Sequence, residues 1–143
     1  MTISDLGAQR SQYTTDAVLS ASPVRLLTML YDRLLLDLDR ARIAQPRQDW
    51  PVVSENLLHA QAIVAELAAS LQVESWDGAS SLLALYHYCQ SLMVGANVRR
   101  ELAGIDECIE LLEPIRQAWH EAAGQLSAAV PPVTGLSREL GVA

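Results

Sequence analysis

The sequence predicts an all-α protein: an antiparallel up-down four-helix bundle with a loosely held N-terminal segment and a flexible C-terminal tail. Three observations lead there. Apolar residues recur at spacings of three and four, the period of one helix face, in four separate stretches. Prolines punctuate those stretches at Pro23, Pro46, Pro51 and Pro131–Pro132. The composition is rich in Ala and Leu, lacks Phe and is only 5% aromatic, which favours helix over sheet. Four helices of about twenty residues with short connections pack most simply as an up-down-up-down bundle.

The first helix is expected from Pro23 to Ala44. Ser22 is placed to accept a bond from the first-turn N–H groups, and Pro23 sits where a missing N–H costs nothing. Leu27, Leu30, Tyr31, Leu34, Leu38 and Ala41 then line one face. The second runs from Pro51 to Leu71 with Val53, Leu57, Ala60, Val64, Leu67 and Leu71 along its stripe. A turn over 74–78 offers Ser75 or Asp77 as a cap for the third helix, Ala79 to Val98. That helix buries Leu82, Leu85, Tyr86, Cys89, Leu92, Met93 and Ala96. The fourth, Ile105 to Leu126, carries Ile105, Cys108, Ile109, Leu112, Ile115, Trp119, Ala122 and Leu126. Pro114 lies inside it, so a kink is expected there and not a reversal, because the stripe stays in phase on both sides. Residues 1–19 read as an N-terminal segment able to act as a mobile cap, 20–129 as the bundle, and 130–143 as a flexible tail.

At 143 residues the chain is long enough for one well-buried core. A net charge of −7 argues against broad binding to nucleic acid or insertion at an anionic membrane, and Arg99–Arg100 reads as a solvated loop. No stretch approaches the ~18 continuous apolar residues of a membrane span. Met1 to Gln12 is polar and unlike a secretory signal, so a cytoplasmic location is expected. Cys89 and Cys108 fall on apolar helix positions and read as buried free thiols.

Catalytic chemistry finds little support. A di-iron bundle needs Glu-x-x-His pairs, and none of His59, His87 or His120 has Glu three residues earlier. Glu55 and His59 read as a solvated pair on one helix, and Ser80 and Ser81 as residues beside a helix start. Nucleophile elbows, phosphate loops and zinc motifs are missing. The expectation is therefore a protein that is not an enzyme and needs no cofactor or metal. Apolar surface, by contrast, is in excess: Leu26, Met29, Leu35 and Leu36, then Val52 and Ile63, then Leu83, Tyr88 and Val94 stand beside the core stripes. That excess fits a groove for a partner's amphipathic or extended segment. It fits equally a homodimer, or packing by the N-terminal segment.

An ordered set of motifs runs through all four helices. It consists of Tyr13 ahead of Val18 and Ser20-Ala-Ser-Pro23, Leu26-Leu-Thr-Met-Leu-Tyr-Asp32, Asn56 to Leu67, Leu85-Tyr-His-Tyr88 with Ala96-Asn97, and Ile115-Arg-Gln-Ala-Trp119. Over roughly Tyr13 to Ala123 the chain resembles FliS, the flagellin-specific export chaperone family. Departures are local: Arg33 stands where the family commonly has Gly, Trp76-Asp77-Gly78 replaces a Gly-Gly-type turn, and Pro114 is unusual. The resemblance implies a helical bundle that binds the disordered C-terminal segment of flagellin in the cytoplasm. It would thereby prevent premature polymerisation and assist export through the flagellar type III apparatus, with other export components as further partners. Among individual residues, Tyr13 and Val18 become candidates for a cap over the flagellin groove. Asn56, Gln61 and Asn97 would bond a partner's backbone, and Ile63, Tyr86 and Tyr88 would supply apolar contact. Tyr31, Leu85 and Trp119 are expected in the core.

Overall fold

The structure is a computed structural model and describes residues 22–129. Four helices account for nearly all of them: α1 (Pro23–Ala44), α2 (Trp50–Ser70), α3 (Ala79–Arg99) and α4 (Leu102–Ala129). Among the described residues there is no strand. The expected caps Tyr13 and Val18, and the tail over 130–143, lie outside the described residues.

Two compact units divide this chain: Met29–Gln117, and a smaller one that includes residues 22–28 and 118–129. In the smaller unit α1 starts as its sequence dictates. The Arg25 N–H donates to Ser22 Oγ at 3.2 Å, the bond expected of a serine N-cap, and Pro23 follows it. Thr28 is only 2% exposed, and its hydroxyl donates to the Arg25 carbonyl at 2.8 Å. Trp119 is half-buried and not a full core residue as expected, and Leu126 is 54% exposed. The apolar stripe of α4 thus fades before its expected end.

Hydrogen bonds in the larger unit give its topology directly. Tyr31 pairs with Tyr86 and Gln45 with the Arg100 carbonyl, both 55 positions apart, so the chain from α1 runs parallel to α3. Gln61 pairs with Gln90 and Ser54 with Asn97, so α2 and α3 run in opposite senses. The result is the antiparallel bundle that the periodicity predicts. Its core takes Tyr31, Leu34, Leu38 and Ala41 from α1, Val53, Leu57, Ala60, Val64 and Leu67 from α2, Tyr86, Cys89, Met93 and Ala96 from α3, and Ile105, Cys108 and Leu112 from α4, none more than 2% exposed. Each large aliphatic side chain so enclosed contributes roughly 1.5–3 kcal/mol of transfer free energy. Leu30, Leu71, Leu82, Leu85, Leu92, Ile109 and Ile115 are only partly buried, so the expected stripes are wider than the core they feed.

Helix ends differ in instructive ways. Neither Ser75 nor Asp77 caps α3: Gly78 is the N-cap, and the Ser75 hydroxyl instead donates to the Gln72 carbonyl at 2.6 Å. α4 begins at Leu102, three residues earlier than expected, because Arg100 adopts left-handed φ of 56° and ends α3 within one residue. The Glu101 N–H then reaches back to the Ala96 carbonyl at 3.1 Å. Pro114 lies inside α4 without ending it, leaving the Glu110 carbonyl without its helical donor. Near its start α4 also needs a glycine. A Cβ at Gly104 would stand 3.0 Å from the Leu92 carbonyl oxygen and 3.3 Å from Ala96 Cβ, so a larger residue here would have to push a neighbour aside.

Candidate partner-binding seam

The side-chain amides of α3 reach across to α2 and define a seam. Gln90 Nε2 donates to the Gln61 carbonyl at 2.8 Å, and Asn97 Nδ2 donates to Ser54 Oγ at 3.4 Å. Leu58 lies four residues after Ser54 and three before Gln61, so it shares their edge of α2. Val94 holds the corresponding place between Gln90 and Asn97 on α3. Leu58 is 55% exposed and Val94 47%, while Val98, one turn further on, is 75% exposed. These apolar side chains therefore lie on the solvent side of the seam, flanked by amides whose own oxygens remain acceptors.

The expected contact residues separate into distinct groups. Gln61 and Asn97 belong to the seam, Gln61 through its backbone carbonyl. Asn56 folds back onto its own helix, donating to the Val52 carbonyl at 2.8 Å. Ile63 is buried, 7% exposed, and so joins the core instead of the surface. Tyr86 is likewise no surface contact: it is 2% exposed, and its hydroxyl meets that of Tyr31 at 2.5 Å. Burial and that bond push its pKa up. Tyr88 is 46% exposed and donates its hydroxyl to Glu107 Oε1 at 2.5 Å, which raises its pKa.

Two features of the structure are not apparent from the sequence pattern. Leu58 stands next to core Leu57 and is hidden within an apolar run; its spacing from Ser54 was the available signal. Asp37, the other, is fully buried and accepts from Arg33 Nε at 3.0 Å and from His59 Nδ1. His59 therefore joins α1 to α2 and is not the solvated partner of Glu55. Arg100 also corrects its expected role as solvated loop, since its guanidinium stacks 4.5 Å over the Trp50 ring. Cys89 and Cys108 are fully buried free thiols, Cys108 Sγ lying 3.6 Å from the Cys89 carbonyl oxygen; the hydrogen bond with the Cys89 side chain, and burial after it, push the Cys108 thiol up. Among the described residues no three His, Cys, Asp or Glu come together as a metal site, and no helix is long and apolar enough to cross a membrane.

The family profile described as "Flagellar protein FliS" matches residues 6–126. The chain belongs to the FliS family. Its match to the flagellar secretion chaperone FliS of Escherichia coli (strain K12) is 34% identical over 119 residues, covering 82% of this chain and 88% of that protein. The corresponding protein of Salmonella typhimurium (strain LT2) is 33% identical over 128 residues, covering 88% of this chain and 95% of the relative. The fold also matches the crystal structure of a flagellar chaperone from bacteria, with a TM-score of 0.66 and 20% identity, over 85% of this chain and 98% of that one. FliS is a chaperone family, not an enzyme family.

Proposed function

We propose that this FliS-family protein is a cytoplasmic flagellar export chaperone, free of catalysis, cofactor and metal, that shields the C-terminal segment of flagellin along the α2–α3 seam. The single observation that carries this reading is the exposed pair Leu58 and Val94, flanked by the Gln90 and Asn97 amides. A partner segment covers the apolar pair and gives its backbone N–H groups to the amide oxygens. The bound segment orders as it binds, and the ordering cost offsets part of the contact energy. Such binding holds flagellin away from polymerisation yet allows its release to the export apparatus. Tyr13 and Val18 are proposed to contact the same segment from the N-terminal side.

Calorimetric titration of the full chain with a C-terminal flagellin peptide tests this. Leu58→Glu and Val94→Glu should each weaken binding at least about tenfold while helicity and melting hold, because both side chains are half-exposed. Tyr13→Ala should weaken it as well. Absence of heat at micromolar peptide, with light scattering reporting a stable dimer, would sink the chaperone reading in favour of a self-associating bundle.

A further inference from the structure

One arginine closes an end of the α2–α3 seam. Trp50 lies four residues before Ser54 on α2, and Arg100 lies three residues after Asn97, just past the end of α3. Both therefore continue the edge that Ser54 and Asn97 define. Gln90 bonds Gln61, Asn97 bonds Ser54, and the Arg100 guanidinium stacks 4.5 Å over the Trp50 ring, so the three crossings follow one antiparallel register. Arg100 is the one cation among these seam residues; Trp50, Ser54, Leu58, Gln61, Gln90, Val94 and Asn97 are all neutral.

Arg100 is held more firmly than an exposed arginine needs to be. Its backbone takes a left-handed φ of 56°, a conformation that costs a residue with a side chain more than it costs glycine. Gln45, only 6% exposed, donates Nε2 to the Arg100 carbonyl at 2.6 Å. Trp50 supports the flat face of the guanidinium, which leaves its edge N–H groups free to donate in their own plane. An ion pair is not what fixes it. Arg33, Arg42, Arg99 and Arg116 are each bonded by a carboxylate, and Glu101, the chain neighbour of Arg100, bonds Arg99. Asp49, the chain neighbour of Trp50, makes no ion pair, and among the described residues no carboxylate pairs with Arg100. In a chain of net charge −7, this stacked and pinned fork of donors matches a carboxylate.

We infer that Arg100 binds the terminal α-carboxylate of the segment in the seam, an assignment that rests on the flagellin reading proposed above. The contact sets the segment's direction: its chain end lies at Trp50, and the residues before it run over Val94 and Leu58 towards Gln61. A C-terminal segment ends in this group whatever its side chains are, and the seam ends at Arg100 because α2 starts and α3 stops there.

Calorimetric titration of the full chain compares one C-terminal flagellin peptide made as the free acid and as the C-terminal amide. The free acid should bind about fivefold tighter, and added salt should narrow the gap. In Arg100→Gly, whose backbone suits the left-handed turn, melting should hold or rise while the gap falls below about twofold. Arg25→Gln, which removes an exposed charge without an ion pair at the start of α1, should leave the gap unchanged. A paramagnetic label near the peptide's C-terminus should broaden amide resonances around Trp50 and Val98 more than those around Gln61 and Gln90. Equal binding of acid and amide, a gap that survives Arg100→Gly or vanishes in Arg25→Gln, or broadening strongest at Gln61 would each overturn the inference. Absence of heat with either peptide would instead reject the seam reading itself, and the inference with it.

Discussion

The Tyr31–Tyr86 hydroxyl pair makes the sharpest prediction, because it joins two parallel helices through groups that have no access to water. Tyr31 is 0% and Tyr86 2% exposed, and their oxygens stand 2.5 Å apart. Tyr86→Phe removes one hydroxyl and with it the bond to Tyr31 inside the core. A neutral buried hydrogen bond contributes about 1 kcal/mol net, and an orphaned polar group costs roughly 1–3 kcal/mol. Each single Phe variant should therefore lose about 1–2 kcal/mol in urea unfolding followed by helical circular dichroism. The double variant Tyr31→Phe/Tyr86→Phe should lose less than the sum, since each single variant already removes the bond the two share. Additive losses would refute the pairing. Alkaline pH gives a second reading. Folding raises the Tyr86 pKa above its ordinary value of 10.0, so the protonated form is favoured in the native state. Its contribution to stability is whole below that value and is lost as pH climbs through the raised folded value. The slope is about 1.4 kcal/mol per pH unit for one proton. Tyr86→Phe should flatten the alkaline decline by that one-proton slope, and an unchanged slope would reject the assignment.

Other predictions rest on single local geometries. Gly104→Ala should lower the melting temperature despite its better helix propensity, because the new methyl meets the Leu92 carbonyl backbone at 3.0 Å. Gly95→Ala should hold or raise stability by up to about 1 kcal/mol, since only the flexible end of Arg99 has to move. Asp37→Ala removes bonds to two half-exposed partners and should cost about 1–2 kcal/mol in denaturant unfolding. His59→Ala should cost a similar amount, because a fully buried carboxylate oxygen then loses its donor. Cys89 and Cys108 should react with an aromatic disulfide reagent only at the rate of unfolding, both being 0% exposed; fast labelling of either thiol in native buffer would contradict that burial.

Helix identity was legible because local rules and packing agree. Ser22 and Pro23 start α1 as their chemistry requires, and α1 spans the expected residues. Features set by tertiary contact were not legible. Asp37 and His59 are 22 positions apart, and nothing local distinguishes that pair from the i,i+4 neighbours Glu55 and His59. The left-handed turn at Arg100 is a position where glycine is usual, so the residue type gave no warning of the abrupt reversal. Of the proposed contact residues, Tyr88, Gln61 and Asn97 lie at or near the surface, whereas Ile63 and Tyr86 are enclosed. An apolar residue beside a stripe is core or surface according to a rotation of a few tens of degrees, which periodicity alone does not resolve.

That ambiguity bears on how a bundle of this kind binds anything while staying folded. Its core is complete without Leu36, Leu58 or Val94, which are all more than 40% exposed. Removing them should cost little stability, so a partner can cover them without disturbing the core. The two places where such residues sit between helices differ in their flanks. Neutral amides border Leu58 and Val94, whereas carboxylates border Leu36. Amides accept from a backbone irrespective of side-chain charge; carboxylates select cations and reject acids. Sequence-tolerant capture along the α2–α3 seam therefore follows from the fold. Loss of peptide binding in Leu58→Glu, with Leu36→Ser unaffected and melting held in both, is the outcome that this division requires.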